Sequence, residues 1–139
     1  MSWLLDTNII SELRRPTAVA NPGVVEWAAS QDPDSLYLSA ITVLELEIGV
    51  RRKERTDAVQ GAMLRRWLDG DVLPTFSGRI VSVDTAVAVR AGTLHVPDPR
   101  PERDALIAAT ATVHGLTVVT RNIRDFADLG ATLLNPWSD

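Results

Sequence analysis

From Trp3 onward the chain alternates between short apolar runs and longer stretches in which apolar residues recur at helical spacing. The short runs fall at 3–5, 36–38, 80–83 and 117–120, with a weaker one at 132–134. They are too short for helices and are bounded by turn-forming or polar residues, a pattern that predicts buried strands. Segments 8–13, 22–30, 42–52, 57–69, 85–92 and 102–114 carry the helical period.

Local chemistry marks several boundaries. Asn21 before Pro22 places a capping side chain ahead of a proline at the first helical position. Thr42 followed by Glu45 matches a capping box, 32–35 (Asp-Pro-Asp-Ser) reads as a turn, and Gly115 after His114 suits a helix stop. The proline-rich segment 96–101 reads as a rigid loop. Strands alternating with helices predict an α/β fold: a three-layer α/β/α domain with a mostly parallel central sheet and right-handed crossovers. No repeat or long linker divides residues 1–139, so a single domain is expected.

Composition narrows the chemistry. With no cysteine, thiol nucleophiles, disulfides and zinc–thiolate sites are excluded, and the two histidines, His95 and His114, are well separated. A bound metal would therefore rely on oxygen ligands. No basic leader precedes a long apolar run and no stretch reaches transmembrane length, so a soluble cytoplasmic protein is expected. The net charge of −4 argues against a generally basic footprint for nucleic acid. Its distribution is uneven, however: 13 of the 14 basic residues are arginine, in clusters such as Arg14-Arg15, Arg65-Arg66 and Arg121 with Arg124. The forked guanidinium suits phosphate, although each cluster also reads as ordinary solvated surface.

In an open parallel sheet, ligands gather beyond the carboxyl ends of the strands, close to where strand order reverses. Asp6 directly follows the first predicted strand, and Asp125 lies five residues past the fourth. Glu45 stands in a helix apolar over most of its circumference and, at about 100° per residue, projects within roughly 60° of Ile41 and Ile48, bordering a buried stripe. Glu47 points about 200° away from it, toward solvent. Asp104 begins a helix whose own face continues through the small apolar Ile107, Ala108 and Ala111. Each acid also has a plain structural reading: Asp6 as a helix cap, Glu45 in the capping box, Asp104 against the helix dipole, Asp125 in a local turn. Taken together, four carboxylates directed toward apolar structure would repel one another, and a hard dication such as Mg²⁺ or Mn²⁺ offsets that repulsion.

Four segments in order carry a resemblance across nearly the whole chain. They are Leu4-Leu5-Asp6-Thr7-Asn8-Ile9-Ile10-Ser11-Glu12-Leu13, Ser39-Ala40-Ile41-Thr42-Val43-Leu44-Glu45-Leu46, Asp104-Ala105-Leu106-Ile107-Ala108-Ala109-Thr110-Ala111, and Val118-Val119-Thr120-Arg121-Asn122 through Asp125-Phe126. The sequence resembles the PIN domains and, within them, VapC-type ribonuclease toxins of the FitB-like branch of toxin–antitoxin systems. The resemblance implies that Asp6, Glu45, Asp104 and Asp125 form an acidic quartet around one or two Mg²⁺ or Mn²⁺ ions. It places Asn122 beside them, and gives Thr7 and Asn8 a part in orienting Asp6 or meeting substrate. Arg121, or an arginine of the 14–15 pair, could steady substrate phosphates. The resemblance further implies an RNA substrate, inhibition by a cognate small DNA-binding antitoxin, and a homodimer.

Two other readings follow from the same residues. A haloacid-dehalogenase-type phosphatase needs an Asp-x-Asp pattern and a lysine, but here the third position is Asn8 and the single lysine is Lys53. A non-catalytic binding module would reduce the four acids to caps.

Overall fold

The computed structural model describes residues 1–138. Five parallel strands, β1 (Trp3–Leu5), β2 (Leu36–Ser39), β3 (Ile80–Val81), β4 (Thr117–Val119) and β5 (Leu133–Leu134), form one sheet in the order β3-β2-β1-β4-β5. From β1 the chain winds outward through β2 to β3, then crosses to β4 and β5 on the other side. The reversal falls between β1 and β4, whose register pairs Leu4 with Val118 and Leu5 with Val119.

Alternation along these two central strands divides the core. Leu5 and Val119 face one layer, where Ile9 and Ile10 of α1 (Thr7–Arg14), Val24 of α2 (Pro22–Ala29) and Leu46 and Val50 of α3 (Ala40–Thr56) pack. Leu4 and Val118 face the other, against Ile107, Ala108 and Ala111 of α7 (Glu102–His114) and Phe126 of α8 (Ile123–Phe126). The small residues of α7 let it lie close to the sheet, and α6 (Thr85–Leu94) covers its outer side through Val87 and Ala91 against Ala109. Gly115 ends α7 with a φ of 67°, the left-handed conformation its place after His114 predicts.

Several boundaries differ from the sequence reading. Helix α3 begins at Ala40, because Ser39 rather than Thr42 is the cap: its Oγ accepts from the backbone N–H of Ile41 at 3.0 Å. Thr42 is instead buried inside the helix, its hydroxyl donating to the carbonyl of Leu5 at 3.5 Å. The capping box is thus absent, and Glu45 is released from that role. The helix runs on to Thr56 through a polar turn with no apolar period to reveal it. The helix expected at 57–69 divides into α4 (Ala58–Trp67) and a π-helical turn (Leu68–Val72) that leads into the single turn α5 (Leu73–Thr75). Leu68 is fully buried and Trp67 packs against the same core, leaving Met63 exposed.

Candidate active site

The carboxyl ends of β1 and β4 open into a cleft of about 480 Å³, walled by α1, α3, α7 and the loop after β4. Asp6, Thr7, Asn8, Glu45, Asp104, Arg121 and Asn122 all line it, as do Ser11, Glu12, Arg15 and Trp137. Of the sequence-predicted residues, Asp125 alone lies on the adjoining surface, beside Arg121 and Asn122. Of the 14–15 pair, Arg15 faces the cleft, while Arg14 turns away to lie 5.6 Å over the ring of Trp67.

Asp6 is the most constrained of the acids. Its backbone N–H continues the sheet by donating to Val119 at 2.9 Å, and its carboxylate caps α1 by accepting from the N–H of Thr7 at 2.8 Å. The other oxygen accepts from the hydroxyl of Thr120 at 2.8 Å and from Asn8 Nδ2 at 3.3 Å. The cap role is therefore real, but it engages one oxygen only. Burial pushes the Asp6 carboxyl above its ordinary pKa, the bonds from Thr120 and Thr7 pull the other way, and the charges of Glu45 and Asp125 raise it again.

Thr120 was not singled out in the sequence, yet it organises this corner. Fully buried, it donates to Asp6, accepts from the backbone N–H of Asn122 at 2.9 Å, and accepts from Asn8 Nδ2 at 3.3 Å. Its one sequence signal is a hydroxyl at the end of an otherwise apolar run. Glu45 is oriented from α1, where the hydroxyl of Thr7 donates to it at 2.8 Å, and Arg103 approaches its other oxygen at 3.7 Å. Glu47 faces the opposite side of α3, in contact with Arg51 and Arg65. Asp104 sits in the first turn of α7 with no such partner among the described residues. Burial, and then the charges of Asp6, Asp125 and Glu45, push its pKa up to about 6.

The charges of Glu45 and Asp125 thus act on both Asp6 and Asp104. Among the described residues, no three Asp, Glu or His side chains close into a ready-made cation cage. The carboxylate oxygens that line the cleft are the donor type a hard dication takes, and Mg²⁺ is commonly held by only one or two carboxylates with several waters. The donors are all oxygen, with neither His95 nor His114 in the cleft.

Fold and cleft together define an α/β protein with an acidic site at the switch point of a parallel sheet. The family model of the PIN domain matches residues 3–131, and the chain belongs to that family. Toxin FitB of Neisseria gonorrhoeae is 39% identical, aligned over 98% of this chain and 99% of its own. The VapC ribonuclease Y4jK of Sinorhizobium fredii is 36% identical over 96% of each. The crystal structure of FitAcB from Neisseria gonorrhoeae superposes with a TM-score of 0.87 at 38% identity, over 96% of this chain and 97% of that one. A structure of FitAB bound to an IR36 DNA fragment gives 0.82 at 35%, over 97% and 95%.

Proposed function

We propose that this chain is a ribonuclease toxin of the VapC type, which hydrolyses RNA phosphodiester bonds and is neutralised by a cognate DNA-binding antitoxin. The observation that carries the reading is the convergence of Asp6, Glu45 and Asp104, with Asp125 alongside, at the switch point of a PIN-family sheet. The names of the relatives Toxin FitB and VapC ribonuclease Y4jK support the activity, and the DNA-bound FitAB complex supports the antitoxin.

Asp6, Glu45, Asp104 and Asp125 would hold Mg²⁺ or Mn²⁺. When bound, the dication makes a water more acidic and offsets charge on the phosphate under attack. The chain's own part is positional. Thr120 and the N–H of Thr7 fix the Asp6 carboxylate, and the hydroxyl of Thr7 fixes Glu45, so neither acid has to reorganise during turnover. Asp104, whose pKa is pushed up to about 6, has to give up its proton to take part in holding the dication. Arg15 and Arg121 stand on the cleft wall, where the RNA backbone would pass.

The phosphatase reading lacks its lysine, since Lys53 lies in the exposed last turn of α3 and outside the cleft. No helix among the described residues is long and apolar enough to cross a membrane. An RNA substrate and a DNA-binding antitoxin accord with a cytoplasmic setting. The homodimer is part of the same proposal, with Val59 and Met63 offering an exposed apolar edge on α4.

The test is cleavage of mixed RNA with Mg²⁺ or Mn²⁺ by the protein and by its Asp6→Asn and Asp104→Asn variants, with a small phosphate ester as control substrate. Cation-dependent cleavage lost in both variants is expected. Cleavage that survives both substitutions, or activity on the ester alone, overturns the reading.

A further inference from the structure

Residues 135–138 bring Trp137 to the cleft and are tied down by the residue that caps α2. Asn21 donates through Nδ2 to the carbonyl of Ser138 at 2.8 Å, and its Oδ1 accepts from the N–H of Ser138 at 3.0 Å. The N–H of Gly23 donates to Ser138 Oγ at 3.1 Å. A Cβ on Gly23 would stand 2.5 Å from the carbonyl oxygen of Pro136 and 2.6 Å from the nitrogen of Ser138, so the strap lies flat only over glycine. Within it, Asn135 Oδ1 accepts from the N–H of Trp137 at 3.0 Å. The indole of Trp137 is thereby held half-buried, against the core on one side and facing the cleft on the other.

Across from it, the Arg121 guanidinium lies 5.5 Å from the centre of the indole. The other end of Arg121 is fixed too, its backbone N–H donating to Asn8 Oδ1 at 3.3 Å. Arg15 on the same cleft is spoken for by Glu12 at 3.2 Å, whereas Arg121 carries no ion pair among the described residues. A cation–π contact leaves the edge of the guanidinium, with its N–H donors, open to a ligand. The four carboxylates of the cleft, Asp6, Glu12, Glu45 and Asp104, repel a polyanion, and the matching ligand for a planar fork at its mouth is a phosphate bound through two oxygens.

We propose that Arg121 and Trp137 form a clamp for an RNA phosphate next to the one being cleaved. Arg121 makes the contact, and Trp137 is a positioning residue held in place by the Asn21–Ser138 strap. The proposal rests on the ribonuclease reading and extends it by assigning the backbone subsite.

The experiment measures both steady-state cleavage of a single-stranded RNA oligonucleotide and its binding by fluorescence anisotropy over a salt series, for Arg121→Ala, Trp137→Ala, Trp137→Phe and Gly23→Ala. For Arg121→Ala, KM and Kd rise and the slope of log Kd against log salt falls by about 0.7, one single-strand phosphate contact. For Trp137→Ala, KM and Kd rise about fivefold, the scale of one cation–π contact, with kcat held and the salt slope unchanged. Trp137→Phe restores most of the loss, and Gly23→Ala reproduces the Trp137→Ala defect without altering any side chain of the cleft. Where Trp137→Ala does not fold, Arg121→Ala and Trp137→Phe still decide: an unchanged salt slope in the first, or a full Trp137→Ala-sized defect in folded Trp137→Phe, overturns the clamp. RNA binding that follows this pattern without any cleavage would leave the clamp standing and remove the ribonuclease reading. Cleavage with binding indifferent to all four substitutions does the reverse.

Discussion

Asp6 and Asp104 carry charges that their surroundings resist, Asp104 to the point of a pKa near 6. A carboxyl held above its unfolded value binds its proton more tightly in the fold. Its contribution to stability is present below the unfolded value of 3.8 and is lost as pH rises through about 6. In chelator, the protein is therefore expected to gain less from a shift to pH 7 than Asp104→Asn does, so the melting temperatures of the two cross in the variant's favour between pH 4.5 and 7.5. A wild-type advantage at both pH values would contradict the repulsion. Thr120 makes the second prediction at this scale. Thr120→Val removes a buried donor to Asp6 and strands the N–H of Asn122, costing about 1–3 kcal/mol in denaturant unfolding. It should also lower cleavage by about 10- to 100-fold, the usual effect of losing a partner behind a metal-binding group. In the sequence Asp6 and Asp104 stood out at the end of an apolar strand and the start of an apolar helix, Glu45 as a charge within an apolar helix, and Asp125 by its place beyond the fourth strand. Thr120 and Trp137 did not, since a threonine ending a strand acquires its role only through Asp6, 114 residues away, and a tryptophan in a tail only through Arg121 across the cleft.

Elements place these residues, and the α3–α4 hairpin shows what decides an element's position. Gly61 of α4 lies so close to α3 that a Cβ there would fall 2.4 Å from Cα of Glu54. Around this crossing Arg65 grips Glu47 through paired bonds of 2.9 and 3.0 Å, and Glu54 at 3.1 Å. Gly61→Ala is expected to destabilise the protein by about 1–3 kcal/mol despite alanine's better helix propensity, because backbone rather than a flexible side chain must yield. A chemical-denaturation midpoint equal to or above that of the parent protein would mean the helices separate at no cost. Sequence periodicity found the existence of α3 and α4 but misjudged their ends. The cap that starts α3 is Ser39, a strand residue in the apolar pattern, and the polar last turn of α3 is held by its caps and this crossing rather than by a buried stripe. The turn α8 left no trace for the same reason: four residues with a single buried side chain, Phe126, are too few to show a period.

At the scale of the molecule, the strand order accounts for why acids from opposite ends of the chain meet. Alternating strands and helices sufficed to predict a parallel α/β domain, but not which strands are neighbours; that depends on which face each helix covers. Once β4 lies beside β1, Asp6 and Thr120 are forced together, and α3 and α7 deliver Glu45 and Asp104 from either side of the sheet. The fold thus holds repelling charges in place at a standing cost, and a dication that binds only this arrangement should repay it. At a free cation concentration a hundred times its Kd, binding adds about 2.7 kcal/mol to folding. For a domain of this size that raises the melting temperature by roughly 10 °C. Binding must displace the proton that Asp104 retains near pH 6, so the apparent affinity for Mn²⁺ should climb between about pH 5 and 7 and then level off. Asp104→Asn should flatten that climb, and Asp6→Asn with Asp104→Asn should abolish the thermal shift. Calorimetric titration of Mn²⁺ in two buffers of different ionisation enthalpy counts the protons released. A wild-type protein that binds Mn²⁺ near pH 6 with no proton release and no pH-dependent affinity would show that the cation does not engage Asp104.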